Sequence, residues 1–363
     1  MKAAIVVFIA ALIALGLAGC GIKNDIPAEA PAAMAVSKPE VAPLPKLNLK
    51  HDTSLESQIA DIAGQSQGRV GVSAVLLETG DAAELNADAQ FPMQSVYKLP
   101  IAMAVLAASS NGKLSLSQQV NVQPKDFVRS GVRSPIRNQF PQGGVFTIRE
   151  LLAQAIAESD GTANDILLEQ TGGPGGVMEY LDKLGVEGMF VRDSEKEIFE
   201  DWDTQYRNSA SPRATVELLR QLQLGAGIEA DSLHELLYLM KSSGPGYRRL
   251  KHLLPKDVEV AHKTGTGGTK AVEMPASNMA TNVPVPKPTP RPSSSPLYRL
   301  KPTPPGTPQI VSSSTNDVGI IYLPNGKHIL IAVYVSDSTA PAFVREGTIA
   351  QIAKVVWDSW SEK

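Results

Sequence analysis

A chain of 363 residues with 43% hydrophobic content and a formal net charge of −3 has material for a sizeable core, arranged as one large domain or two small ones. The balance of charge excludes the basic stripe of a nucleic-acid binder, and the apolar content excludes a wholly disordered chain. A single cysteine, Cys20, excludes an intramolecular disulfide, and 5 scattered histidines give no ligand spacing for a metal; no cofactor is called for.

In chain order, Lys2 precedes an uncharged apolar run from Ala3 to Leu17. At about fifteen residues the run is too short to span a bilayer and fits the h-region of an export signal. It stops at Leu17-Ala18-Gly19-Cys20, where small residues before a cysteine mark a processing site. Residues 21–50 are rich in proline and alanine, show no apolar periodicity and read as a linker. The folded part is expected from His51.

Leu55, Ile59, Ile62 and Ala63 share one helix face, and Val70 to Glu78 reads as a strand that turns at Gly80-Asp81. A helical middle follows. Lys98 to Ala108 is apolar, Thr147 to Glu150 forms a capping box for a helix to Ala157, and Ser211-Pro212 opens another. Further helices fit Thr162 to Gln170, Val177 to Leu184 and Asp231 to Lys241. Strands return at Val258 to Lys263, Asp317 to Tyr322 and Ile329 to Ser336, the last two joined by the turn Pro324-Asn325-Gly326. A helix from Ala342 to Trp360 ends the chain. Strands at both ends and helices between them require the two ends to share a sheet, an α+β fold with a helical half inserted. Between Lys270 and Ile310 stand eleven prolines and no acidic residue after Glu273. Such composition cannot order itself, so residues 271–310 read as an insertion between two strands.

Ser95-Val96-Tyr97-Lys98 precedes the longest apolar helix pattern. Residues three apart share a helix face, so Lys98 can reach the Ser95 hydroxyl. Alone the pair says little, because Ser110 and Lys113 repeat the spacing in a turn. Two more short motifs accompany it: Ser159-Asp160-Gly161 after the capping-box helix, and Lys263-Thr264-Gly265-Thr266 at a strand end. The three, in this order and at spacings of about sixty and one hundred residues, resemble the signatures of the penicillin-recognising serine enzymes. Phe91 to Lys98, Gly244 to Pro255 and Asn316 to Ile321 are similar to class A β-lactamases of the extended-spectrum branch. The likeness covers roughly Thr53 to Gly268 and Thr315 to Trp360.

The resemblance implies a β-lactamase/transpeptidase-like fold, with a five-stranded antiparallel sheet flanked by helices beside an all-α half. It implies a monomer that hydrolyses β-lactams. Ser95 would be the nucleophile, with its own N–H and that of Thr266 as oxyanion donors. Lys98 would hold or remove the serine proton, Ser159 would pass a proton to the lactam nitrogen, and Lys263, Thr264, Gly265 and Thr266 would bind substrate. Asp160 is expected to brace loops.

A carboxylate must activate the deacylating water. Counting back from Gln205-Tyr206-Arg207-Asn208, similar to the end of the family's omega loop, gives Glu195, with Glu197 second. Gly161 stands where most relatives have asparagine, removing an amide contact to substrate, and Phe199 stands where a polar group is common. A possible Arg192–Asp193 pairing in this loop is left open. Arg248 or Arg249 could serve the substrate carboxylate, with Arg249 read as a structural contact. His262 is read as packing beside the strand. The leader resembles a lipoprotein signal, which implies lipid on Cys20 and an exported protein tethered to a membrane. Two rival readings remain: a penicillin-binding protein or D-alanyl-D-alanine peptidase with the same serines and lysines but slow deacylation, and a non-catalytic envelope protein.

Overall fold

The structure, a computed structural model, describes residues 41–272 and 309–363. The expected export signal, Cys20 and nearly all of the proline-rich insertion lie outside them.

The main sheet has seven strands in the order Lys50–His51, Asp81–Leu85, Arg69–Leu76, His328–Ser338, Gln309–Tyr322, with Val260–Thr266 and Thr269–Val272 both on the far edge of Gln309–Tyr322. Five principal strands are antiparallel, as the resemblance implies; Lys50–His51 adds a parallel pairing to Asp81 and Ala82, and Thr269–Val272 continues the edge past Gly267 and Gly268. Both chain ends therefore meet in one sheet.

Side chains along each strand alternate between two cores. From the strand His328–Ser338, Leu330, Ala332 and Tyr334 join the helical half, while Ile329, Ile331, Val333 and Val335 pack with the first and last helices. The last helix, Ala342–Trp360, ends where expected and buries Trp357 and Trp360 there. In the helical half, Lys98–Ser110 is buried nearly all round, as an apolar helix without a polar face must be. The capping box of Thr147 and Glu150 forms, and so does the Ser211 cap ahead of Pro212.

Two boundaries differ most from the sequence reading. The linker ends earlier than His51: Val41, Leu47 and Leu49 pack against the core, and Arg220 donates to the Pro45 carbonyl at 2.9 Å. Isolated apolar residues in extended chain hold this strap, so no periodicity announced it. The strand expected from Asp317 starts at Gln309, and Ser312, Ser313, Ser314 and Thr315 are all buried within it. Their polarity hid the strand, but the Arg345 guanidinium donates to Thr315 Oγ1 at 2.8 Å and the ladder partners occupy their backbone.

Candidate active site

The turn Gln94–Tyr97 leads directly into the helix Lys98–Ser110, with Gln94 in the left-handed region at φ 49. This delivers Ser95 half-buried at the helix start and places Lys98, 1% exposed, one turn beneath it. Lys98 Nζ donates to Ser95 Oγ at 2.9 Å. The rival pair is not assembled: the Ser110 hydroxyl donates back to the Leu106 carbonyl at 2.9 Å and Lys113 follows in a turn.

Ser159 also has a left-handed backbone, φ 57, a strained conformation of the kind concentrated at working sites. Its hydroxyl accepts from Lys263 Nζ at 3.0 Å. Burial, reinforced by the Lys98 charge, pushes the Lys263 ammonium well below the usual lysine range, against the pull of Glu195 and Asp317. Asp160 caps the next helix through Ala163 N–H and accepts from Ile136 N–H at 2.7 Å and from the Ser134 hydroxyl, so it braces the facing loop. Gly161 follows, where an added Cβ would lie 3.2 Å from Val132 Cγ1 and 3.3 Å from Glu195 Cγ. His262 is buried with Nδ1 on the Asp317 carboxylate at 2.9 Å, away from the serines.

The loop Arg192 to Asn208 separates its carboxylates by local structure. Ser194 and Glu197 form a capping box, in which the Ser194 N–H and hydroxyl both donate to Glu197 at 2.8 Å. These bonds hold the Glu197 carboxyl below its usual range and keep it turned to its own helix end. Glu195, 4% exposed, points inward and forms an ion pair with Lys98. The neck of the loop is closed by Asn208, which accepts from Arg192 and Asp193 N–H, and by an Asp193–Arg207 ion pair at 3.1 Å. The Arg192–Asp193 pairing left open from sequence does not form; Arg192 lies over the Phe190 ring. Phe199 is half-buried against the helical core.

Two groups given no role in the sequence reading support this loop. Asp165 accepts from the N–H groups of Glu195 at 2.6 Å and Lys196 at 3.1 Å. Burial, with the nearby Glu195 charge, pushes its carboxyl up to about 7. Gln94, beside Ser95, donates to Gln205 Oε1 at 3.1 Å. These contacts link residues tens of positions apart, and the only local hint was an acid four residues after Gly161.

On the opposite wall, the strand Val260–Thr266 approaches the turn before Ser95 so closely that a Cβ on Gly265 would lie 2.3 Å from the Met93 carbonyl. Glycine is thus dictated there by contact. Gly267 N–H bonds Ser314 O at 3.0 Å toward the sheet, so by strand alternation the Thr266 N–H points to the open edge. Thr264 is buried against Gly246. Arg249, read from sequence as a structural contact, is buried and donates to Thr266 Oγ1 at 2.7 Å, to Gly265 O at 3.1 Å and to Asn316 O at 2.8 Å. It therefore places a guanidinium at the Thr266 hydroxyl while holding the strand.

The chain matches the model of the beta-lactamase enzyme family over residues 54–278 and 306–360. It belongs to that family, in class A. This β-lactamase is 31% identical to beta-lactamase VEB-1 of Pseudomonas aeruginosa over 312 residues, 85% of this chain and 91% of that one. It is 31% identical to the extended-spectrum beta-lactamase PER-1 of the same species over 305 residues, 84% and 86% of the two chains. Among solved structures, a beta-lactamase from Chitinophaga pinensis superposes with a TM-score of 0.71 at 35% identity, covering 84% of this chain and 99% of that one. The TLA-1 extended spectrum beta-lactamase superposes at 0.72 with 32% identity, covering 86% and 100%. The chain is a hydrolase of the β-lactam amide bond, an activity that confers resistance.

Proposed function

We propose that Ser95 is the nucleophile and Glu195 the general base of deacylation. The observation that carries this is Lys98, buried between the Ser95 hydroxyl and the Glu195 carboxylate and touching both. Ser95 Oγ attacks the lactam carbonyl and its proton passes to the Lys98–Glu195 pair. The C–N bond breaks as Ser159 gives its proton to the nitrogen and takes in its place the proton that left Ser95, passed on from the Lys98–Glu195 pair, so that Glu195 is again a carboxylate; Lys263 donates a hydrogen bond to Ser159 throughout. The N–H groups of Ser95 and Thr266 hold the oxyanion. Glu195 then takes a proton from water, which attacks the ester, and Ser95 leaves with its proton restored. Arg249, through Thr266, joins Lys263, Thr264 and Thr266 in holding the substrate carboxylate. Nothing in this route calls for a metal.

The leader and Cys20 support a lipid-modified, exported enzyme tethered at a membrane surface. Palmitate labelling that disappears in Cys20→Ser is the expected result, and labelling that persists would refute it.

The mechanism is tested on the full-length chain with nitrocefin and with intact mass after penicillin exposure. Wild type should turn over, Ser95→Ala should be silent, and Glu195→Gln should accumulate a covalent adduct. A wild type that is acylated without turnover would favour the penicillin-binding reading. A wild type that is never acylated would favour the non-catalytic one.

A further inference from the structure

Resting on the roles just given to Ser95 and Thr266, the geometry points to Trp202 as a gate that restricts the bulk of the substrate's acyl side chain. The carbonyl carbon bound at Ser95 has four directions. One is Ser95 Oγ, one is the oxyanion beside Thr266 N–H, and one is the lactam nitrogen, near Ser159 and Lys263. The fourth carries the acyl side chain. Lys263 precedes Thr266 on the strand, so this remaining direction runs the other way, past Thr266 toward Gly267 and Gly268.

Trp202, from the deacylation loop, stands across that path. Its Cζ3 lies 3.8 Å from where a Cβ on Gly268 would be, and Lys270 Nζ lies 5.8 Å from the ring centre, within cation–π range. The space between indole and strand holds about a methyl group. Tyr206 flanks the ring edge-on with centroids 6.5 Å apart. The backbone beneath the ring is fixed: Gln205 Nε2 donates to the Trp202 carbonyl at 2.7 Å, and Gln205 is itself bonded to Gln94 beside the nucleophile. The indole is only half-buried. It can therefore rotate outward on a fixed backbone, which makes it a barrier to large chains while the loop carrying Glu195 stays in place.

The test compares two substrates: 6-aminopenicillanic acid, which has no acyl side chain, and a cephalosporin with a branched oxyimino chain. Second-order acylation constants are read by rapid-quench intact mass, so the comparison does not depend on turnover; acylation without hydrolysis would sink the deacylation role of Glu195 and leave the ratio readable. In Trp202→Ala the ratio of the bulky to the bare substrate should rise about tenfold, and Trp202→Phe should restore most of the wild-type ratio. Equal change for both substrates would reduce Trp202 to a structural contact, and a falling ratio would make it a binding platform; either overturns the gate. Fluorescence gives a second readout, because the other tryptophans, Trp357 and Trp360, are buried in the last helix at 7% and 0% exposure. Acylation of Glu195→Gln by the bulky substrate should shift the emission, whereas acylation by the bare one should not. No difference between the two would count against gate movement.

Discussion

Asp165 shows how one buried carboxyl can serve geometry at a cost in pH tolerance. It fixes the Glu195 backbone through two N–H groups, yet it shares a dry environment with the Glu195 charge. A folded value of about 7 lies above the ordinary aspartate value near 4. The native state therefore binds the extra proton between these limits. Its contribution to stability is complete below about pH 4 and is lost as pH rises through about 7, on the order of 4 kcal/mol at most. Urea melts at pH 5 and pH 8 should show a stability difference that shrinks in Asp165→Asn; an unchanged difference would assign it to other groups. Arg249 makes a second prediction. Truncation in Arg249→Ala leaves Gly265 O and Asn316 O without this buried donor and the Glu346 ion pair unmade, which should cost on the order of 3 kcal/mol. It should also raise KM for β-lactams. Arg249→Lys should recover part of the stability and little of the KM, since a lysine lacks the guanidinium fork. Thermal melts beside steady-state kinetics decide both points. Ser95, Lys98, Ser159 and Lys263 were legible in sequence because each sits in a short motif. Asp165 was not, because its work lies in bonds to backbone far along the chain, and Arg249 was legible as a structural contact without the partners it holds.

At the scale of elements, local rules explain where the sequence reading held and where it stopped. Capping chemistry is written in adjacent residues, so the starts of the helices Ile148–Ala157 and Pro212–Gln223 were predictable. The same chemistry separates Glu195 from Glu197, which acidity alone could not: the third position of a capping box is committed to its own helix end. Glu197→Gln should retain most nitrocefin turnover and lose about 1 kcal/mol of stability, in contrast to the adduct expected from Glu195→Gln. Adduct accumulation in Glu197→Gln instead would reverse the assignment. The buried strand of serines from Ser312 was illegible, since hydrophobic period is the main strand signal and this stretch has none.

For the whole molecule, the order of strands and helices already required the two ends to share a sheet. The strap from Val41 to Leu49 did not follow from that order, and it makes the folded unit longer than periodicity indicated. A chain beginning at His51 loses the contacts of Val41, Leu47 and Leu49 with the core and the bond from Arg220 to Pro45. Relative to one beginning at Lys38 it should be less stable by about 2–4 kcal/mol, seen as a lower Tm with the ratio of substrate rates unchanged. Equal melting of the two would show that the strap merely lies on the surface.

The proline-rich insertion leaves and re-joins the sheet at Val272 and Gln309, which are direct register partners. Opposed residues of an antiparallel ladder stand only about 5 Å apart, so the two stumps form a doorway whose width is set by the sheet and not by what passes through it. Foreign cargo whose own ends lie close together, such as a peptide-binding module, could replace 273–308 without asking the sheet to open. Because that doorway continues the edge strand carrying Thr266, strain imposed by the cargo would reach the oxyanion site proposed there, and the colour change of a chromogenic β-lactam would report whether the cargo is occupied. The enzyme thus offers a natural port for a biosensor.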